Sequence, residues 1–376
     1  MTAPRASLRT LATRDFRNFA RLDLAIPDDG MVIVGENGHG KTNLLEAIHY
    51  LELFRSARGA RDADLVRFGA DGFHIAATVE TDDVHDVSVG FVRNGKRKRV
   101  RLDGGEQERL SDAIGALPSV MLSPTDIELV AGTPAVRRRY LDVVLALTSR
   151  AYLRALQRYR GALTRRNAAL RDSLRGARDD RAVAVWEEPL AEHGAVLWTH
   201  RIEWAAEYAM RFSQRCAAIG EGAPVSMRYE VPLADSPDLR SALLQALAAK
   251  RPLDFRRGLT HSGPHRDDLV LAIDGRDMRT FGSAGQQRTA AIALRIVEAE
   301  TLRERRGRTP MFLLDDPFAE LDVRRSSRIV RLLAEAGIGQ TILAVPREAD
   351  IPAELPRLER FRVVSGQVSP LEGGAS

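Results

Sequence analysis

Met31-Val32-Ile33-Val34-Gly35-Glu36-Asn37-Gly38-His39-Gly40-Lys41-Thr42-Asn43-Leu44-Leu45-Glu46-Ala47-Ile48 is the stretch from which the rest of the chain is read. Its first four residues form an apolar run that reads as a strand, and its last six open an amphipathic pattern that reads as a helix. Between them, Gly35 to Thr42 matches the phosphate-binding spelling G-x-x-x-x-G-K-[ST]. Glycines there let backbone N–H groups converge on phosphate oxygens, and the positive end of the following helix adds to the field. Lys41 is placed to bridge the β- and γ-phosphates and the Thr42 hydroxyl to hold Mg²⁺, so the stretch predicts a bound nucleotide, held by Gly35, Glu36, Asn37, Gly38, His39, Gly40, Lys41 and Thr42. An ordinary glycine-rich turn does not need the lysine, the threonine or both flanking elements.

The composition sets bounds on the fold and setting. A chain of 376 residues with 44% hydrophobic and 28% charged side chains has the profile of a soluble globular protein. No apolar run reaches the length of a membrane span and no charged-then-apolar leader opens the chain, so the expected compartment is the cytoplasm and no membrane partner is expected. Cys216 is the single cysteine, which excludes an internal disulfide and a thiolate metal cluster, and its apolar helical surroundings predict a small core residue. Only four of the 56 cations are lysines, so a lysine inside the phosphate loop stands out: a compact ammonium suits that site where a guanidinium fork does not.

Residues 1 to about 122 alternate short β-like runs with turns. Val87 to Val92 and Arg97 to Leu102 predict a hairpin turning at Asn94-Gly95. The hairpin carries Arg93, Lys96, Arg97, Lys98, Arg99 and Arg101 without an acid, which suits either a charge-protected edge or a surface for DNA phosphates. From about 125 to 250 the pattern turns helical. Tyr152, Leu156, Tyr159, Leu163, Asn167 and Leu170 form one stripe, and Arg150, Arg154, Arg158, Arg165, Arg171 and Arg175 the opposite one. A second helical run from about Val183 to Ala218 holds all three tryptophans, and the pair reads as a helical hairpin arm joined near Gly176 to Asp180. Between Arg137 and Asp179 twelve arginines face three aspartates, an imbalance that favours an arm turned towards a polyanion over a merely solvated face. From about 251 strand and helix alternate again: Leu269 to Ile273, Ser283 to Arg306, Met311 to Leu314 and Gln340 to Val345. Both ends being α/β, they are expected to fold together around the helical segment.

Met311-Phe312-Leu313-Leu314-Asp315-Asp316 reads as a doubly buried strand ending in two carboxylates, where α/β proteins place ligands. Asp315 is the candidate for the Mg²⁺ shell and Asp316 for orienting or deprotonating a water, so Lys41, Asp315 and Asp316 form the candidate catalytic set. In Phe281-Gly282-Ser283-Ala284-Gly285-Gln286-Gln287-Arg288, Ser283 and Gln286 spell a capping box, and local helix chemistry alone could account for them. The stretch also stands 32 residues before Asp315 with one helix between, the order of ATP-binding-cassette ATPases, in which such a signature meets the γ-phosphate held by a second protomer.

The chain resembles the RecF family, bacterial recombinational-repair ATPases related to the SMC proteins. The resemblance is carried by Asp15-Phe16-Arg17-Asn18-Phe19, Gly35 to Thr42, Ser123-Pro124-Thr125-Asp126 with Arg137-Arg138-Arg139-Tyr140-Leu141-Asp142, and Arg165-Arg166-Asn167-Ala168-Ala169-Leu170. Further on it rests on Ser262-Gly263-Pro264-His265-Arg266-Asp267-Asp268, Gly285-Gln286-Gln287-Arg288, and Leu314-Asp315-Asp316 with Ala319-Glu320-Leu321-Asp322. It implies an α/β fold, a two-lobed ATP-binding-cassette (SMC-like) head with an inserted helical lobe. The head is expected from residues 1–122 and 256–376, the arm from 123–255. The resemblance further implies an ATP-dependent homodimer, slow ATP hydrolysis, and binding to duplex or gapped DNA or a single/double-strand junction. RecO, RecR and RecA are the implied partners. Ser283, Gly285 and Gln286 match the signature that acts in trans, and Asp322 the acidic end of the loop that crosses the dimer interface.

Two positions depart from the wider cassette pattern. Asp316 stands where most cassette enzymes have glutamate, and its shorter side chain fits slow turnover. Ala344-Val345-Pro346 offers no side chain to sense the γ-phosphate. His265 is read as a structural or interface residue rather than a metal ligand, because no second histidine lies at ligand spacing. For DNA, the candidate residues are Lys96, Arg97, Lys98 and Arg99 on the hairpin and Arg154 and Arg158 on the arm. A small-molecule kinase needs the phosphate loop but neither the signature nor the arm. A purely structural nucleotide clamp gains nothing from a second buried carboxylate after Asp315.

Overall fold

The computed structural model describes residues 4–371 except 177, 234–235, 320–322, 336–338, 354 and 356–357, and leaves the side chain of Lys96 undescribed. Asp322 therefore lies outside the described residues. The chain divides into two compact units, one made of Met1–Asp126, Ala218–Gly220 and Ile292–Ser376, the other of Ile127–Ala217 and Glu221–Ala291.

The first unit contains two six-stranded sheets. One is built on parallel strands in the order Glu359–Val364, Gly30–Val34, Thr341–Val345, Met311–Asp315, Ser119–Leu122, with Gln367–Pro370 added antiparallel at the Glu359 edge. Gly30–Val34, Thr341–Val345, Met311–Asp315 and Ser119–Leu122 are buried at every residue, as continuous apolar runs in a parallel sheet should be. The other sheet is antiparallel: Phe19–Ala25, Ser7–Phe16, Gly72–Glu80, Val84–Val92, Arg97–Leu102, Gly105–Glu106. The helix Lys41–Leu53 carries Leu44, Leu45, Ile48 and Leu51 into one apolar cluster with Phe16, Phe73 and Phe91 of the antiparallel sheet and Met311 and Ile342 of the parallel one. Because the helix is covered nearly all round, its polar residues are buried too. Burial pushes His49 down to about 3, where the neutral ring bonds the Ser119 hydroxyl at 2.9 Å.

The hairpin at Asn94-Gly95 forms as expected: Val92 pairs with Arg97, and Gly95 takes φ 79°, a conformation open to glycine. The helical hairpin also forms, from Arg150–Arg175, a short helix Asp180–Ala184 capped by Asp179, and Glu187–Ile219. Tyr152, Leu156, Tyr159 and Leu170 of the predicted stripe are buried, and Cys216 is a buried core residue.

The second unit differs from a purely helical lobe closing at residue 255. Val225–Glu230 is a strand, alternating buried and exposed at its start, and Asp268–Ile273 pairs with it antiparallel along its whole length. A half-buried strand requires a partner for its backbone. That partner draws residues 256–291, assigned to the head from sequence, into the second unit. The boundary falls within the helix Ala284–Arg306, at residues 291 and 292.

Candidate functional site

The parallel sheet delivers three chain segments to the carboxyl ends of adjacent strands: the phosphate loop after Val34, the Asp315-Asp316 pair after Leu314, and Pro346 after Val345. Parallel pairing brings these ends together, and ligands bind there in open α/β sheets. Gly35 donates its N–H to the Val345 carbonyl at 3.3 Å, and Asp316 donates its own to the Ala344 carbonyl at 2.9 Å. Ala344-Val345 thus contributes through backbone, tying the phosphate loop and the carboxylate turn to one strand.

Within the loop, Gly38 and Gly40 adopt φ of 87° and 117°. A side chain at Gly40 is strained by that φ, and its Cβ would fall 2.6 Å from the Asn18 amide nitrogen, which would have to shift. The Lys41 ammonium folds back onto its own loop, donating to the carbonyls of Gly35 at 2.5 Å and Glu36 at 3.0 Å. Burial lowers its pKa, while Asp315 and Asp316 pull the other way. The Thr42 hydroxyl lies 3.0 and 2.9 Å from the two Asp315 oxygens. Burial raises the Asp315 pKa, and Thr42 and Lys41 counter it. Asp316 leaves the strand at φ 45°, a left-handed turn that aspartate tolerates better than most residues. The sequence motifs at 35–42 and 315–316 therefore meet as one pocket of oxygen donors and a cation.

The loop is braced from two sides by residues to which the sequence alone gives no role. Asn18 donates to the His39 carbonyl at 3.0 Å and accepts from the Asn43 amide at 2.9 Å. Arg17 grips the fully buried Glu46 of the following helix through Nε at 2.9 Å and Nη2 at 3.2 Å. From the far end of the chain, the Ser365 N–H donates to His39 Nδ1 at 3.0 Å and the Gly366 N–H to the His39 carbonyl at 3.1 Å. The string Asp15-Phe16-Arg17-Asn18-Phe19 is the available signal for the first brace. Nothing in the spelling of 365–366 announces the second.

In the other unit, Ser283 and Gln286 form the capping box: the Ser283 N–H donates to Gln286 Oε1 at 2.9 Å, and the Gln286 N–H to Ser283 Oγ at 3.3 Å. Ser283 is exposed and Gly285 half-buried. His265 is held at both ring nitrogens, with the Tyr159 hydroxyl 2.7 Å from Nδ1 and the Thr260 carbonyl 3.0 Å from Nε2. Burial pushes it down to about 4, as befits a structural residue.

The basic surfaces are more selective than their sequence. Lys98 is turned inward, its ammonium 2.7 Å from Asp62, 2.6 Å from the Phe54 carbonyl and 5.3 Å from the Tyr50 ring centre. Its charge is spent inside the first unit, which takes it out of the set of residues that can meet phosphates. Arg97 and Arg99 are exposed, the latter 3.5 Å from Glu106. On the arm Arg154 and Arg158 are exposed, but Arg166 of the same helix is fully buried. It donates to Asp254 at 2.7 Å, Thr260 at 2.9 Å and Glu187 at 2.9 Å.

The RecF/RecN/SMC N terminal domain family matches residues 7–351. Among curated relatives, the DNA replication and repair protein RecF of Anaeromyxobacter sp. strain K is 40% identical over 375 residues, covering 97% of this chain and 99% of its own. That of Halalkalibacterium halodurans is 36% identical over 332 residues, covering 87% and 89%. Among solved structures, the recombination mediator protein RecF-ATP in the RecFOR pathway superposes with a TM-score of 0.90 at 28% identity, over 98% of this chain and 99% of that one. An Smc head domain with an extended coiled coil, from Pyrococcus furiosus, shares the fold at a TM-score of 0.54 and 18% identity, over 97% and 96%.

Proposed function

The chain belongs to the RecF family, and from that membership we propose that it is an ATP-dependent, DNA-binding switch of recombinational repair and replication restart. ATP binds at Gly35–Thr42 with Mg²⁺ beside Thr42 and Asp315, and the loaded protein pairs with a second copy on duplex, gapped or junction DNA. There it works with RecO and RecR in loading RecA. Slow hydrolysis, with Asp316 orienting the water, releases it. The observation that carries this reading is the meeting of the Thr42 hydroxyl with both oxygens of Asp315, at 3.0 and 2.9 Å, beside a buried lysine whose hydrogen bonds go to its own loop.

Those residues fit the proposed cofactors. A magnesium ion takes hard oxygen ligands, commonly one or two carboxylates, a hydroxyl and phosphate oxygens, and supplies charge neutralisation at the phosphates. Thr42 and Asp315 are such a pair. Phosphate oxygens are the acceptors for which Lys41 would exchange its loop carbonyls. The signature acts in trans: the exposed Ser283 hydroxyl at a helix N-terminus faces the phosphates held by the partner copy.

Light scattering with and without ATP and gapped DNA, alongside nucleotide affinity and phosphate release, tests the reading. The wild-type protein forms dimers only with ATP. Lys41→Met binds nucleotide weakly or unproductively. Asp315→Asn keeps nucleotide binding and loses roughly 10²–10³-fold in hydrolysis, the usual cost of one missing charge-stabilising group. Ser283→Arg binds ATP as a monomer and does not pair. Wild-type turnover in Lys41→Met, or normal dimers in Ser283→Arg, would sink the corresponding assignment.

A further inference from the structure

Phe68 is 97% exposed, more than any other large apolar side chain among the described residues. It is also held in place. The Arg67 N–H donates to the Asp15 carbonyl at 2.8 Å, Arg67 Nε to the Asp15 carboxylate at 2.7 Å, and the Ala70 N–H to the Arg67 carbonyl at 3.0 Å. Gly69 takes φ 83°, so Phe68 and Gly69 are the two central residues of a tight turn of the kind that places glycine third. An apolar ring gains nothing for folding when a rigid turn holds it in water. Phe281, the next most exposed phenylalanine at 61%, at least has the Arg276 guanidinium 5.7 Å from its ring centre.

The turn stands at the same end of the antiparallel sheet as the basic hairpin. Gly72 pairs with Val92, the Arg93 N–H donates to the Asp71 carbonyl at 2.8 Å, and Arg93 Nη2 reaches the Ala63 carbonyl at 3.2 Å. Residues 55–71 and 93–101 together carry ten cations against three carboxylates. Arg61, Arg93, Arg97 and Arg99 among them are exposed. An exposed aromatic face edged by cations is how single-stranded nucleic acid is gripped: the cations take the phosphates and the ring stacks on a base. A base inside a duplex has both faces covered by its neighbours. The first unpaired base at a break or gap does not.

We propose that Phe68 is the residue by which this protein recognises an unpaired base beside duplex DNA, stacking on it while the hairpin arginines hold the adjoining phosphates. The proposal rests on the DNA-binding reading above and adds to it the substrate feature and the residue that reads it. It assigns Phe68 to specificity, not to the nucleotide site.

The test uses the full chain with ATP and two probes, a blunt duplex and the same duplex carrying a single-stranded gap with 2-aminopurine at the first unpaired position. The wild-type protein binds the gapped probe more tightly and quenches the 2-aminopurine. Phe68→Ala, which removes a side chain outside the core, loses about tenfold in affinity for the gapped probe. It also loses the quenching, and keeps blunt-duplex affinity and its salt dependence. Phe68→Trp restores both. Equal affinity of wild type and Phe68→Ala for the gapped probe overturns the proposal, as does a matching loss on the blunt duplex. A weakened ATP affinity of Phe68→Ala without DNA also overturns it, by placing the ring against adenine. Binding of neither probe by the wild-type protein is a failure of the DNA-binding reading itself, distinct from a failure of Phe68.

Discussion

Two regions bury charge and use it differently. In the phosphate-loop pocket, Lys41 bonds carbonyls and an amide of its own loop, and Asp315 meets a neutral hydroxyl and the field of the Lys41 ammonium. In the arginine-rich unit, buried arginines meet full counter-charges at hydrogen-bond distance. Arg166 lies between Asp254 and Glu187, Glu187 also takes Arg251 at 2.6 Å, and Arg201 holds Asp142 at 2.7 Å and the Tyr152 hydroxyl at 2.9 Å. A buried ion with permanent partners fixes architecture, and removing one partner strands the other. A buried ion with only provisional partners is arranged for something that arrives. The number of arginines in a segment does not separate the two cases. Their partners do.

The largest effect expected from that contrast is on the architectural side. Arg166→Ala leaves Asp254 and Glu187 undercompensated, and should destabilise the protein by about 3–5 kcal/mol. Arg158→Ala, on an exposed face of the same helix, should stay within about 0.5 kcal/mol. Denaturant melts followed by the fluorescence of Trp198 and Trp204, both buried in this unit, measure both. ATP affinity should be untouched in each. A cost below about 1 kcal/mol for Arg166→Ala would break the comparison.

Acid sharpens it further. Burial pushes His265 down to about 4, so the stability owed to its neutral form is present above its ordinary pKa near 6.5 and lost as pH falls through 4. Burial pushes the neighbouring Asp267 up to about 6, even though Trp198 Nε1 and the Tyr229 hydroxyl donate to it. Its contribution is therefore fully present below about pH 4 and lost as pH rises through 6. Between these limits the two slopes oppose. From about pH 7 to pH 5 the pair should change stability by under about 1 kcal/mol in the wild-type protein. Asp267→Asn removes the opposing contribution and should expose a loss of about 2 kcal/mol over the same interval. Melts at the two pH values decide it, and parallel behaviour of the two proteins would refute the opposition.

The hairpin, where both kinds of cation occur within three residues, carries the comparison down to single side chains. Arg97→Ser with Arg99→Ser should flatten the slope of log DNA affinity against log salt by about 0.9 for each phosphate that is no longer neutralised. Lys98→Ser should leave that slope alone and destabilise the first unit by about 1–3 kcal/mol, because Asp62 loses its counter-charge. A salt titration and a melt of each variant distinguish them.

What is legible in the sequence is what local chemistry dictates. The turn at Asn94-Gly95 and the capping box at Ser283 satisfy themselves within a few residues, and the phosphate loop and the apolar strand ending at Asp315 have a distinctive spelling of their own, so for these the local sequence suffices. What is not legible depends on distant partners. Arg166 reads as one more arginine in a basic helix because Asp254 lies 88 residues away and Glu187 21. The far boundary of the second unit is hidden because Val225–Glu230 reads as part of a helical stretch until Asp268–Ile273 is seen beside it. Lys98 is the exception among the hidden features: it alternates with Arg97 and Arg99, and strand alternation alone puts it on the opposite face.

The strand that leads into the phosphate loop also sets a schedule. Gly30–Val34 lies between Thr341–Val345 and Glu359–Val364, and the turn that bonds His39 follows at Ser365-Gly366. The loop leaves the ribosome well before both walls of its strand and its second brace. Through the synthesis of more than three hundred intervening residues, an apolar strand and its glycine loop wait with neither neighbour in place, the slow, long-range kind of pairing that leaves strand edges open. A chain halted before Glu359 possesses every residue of the nucleotide motifs and still lacks one wall of the strand that presents them.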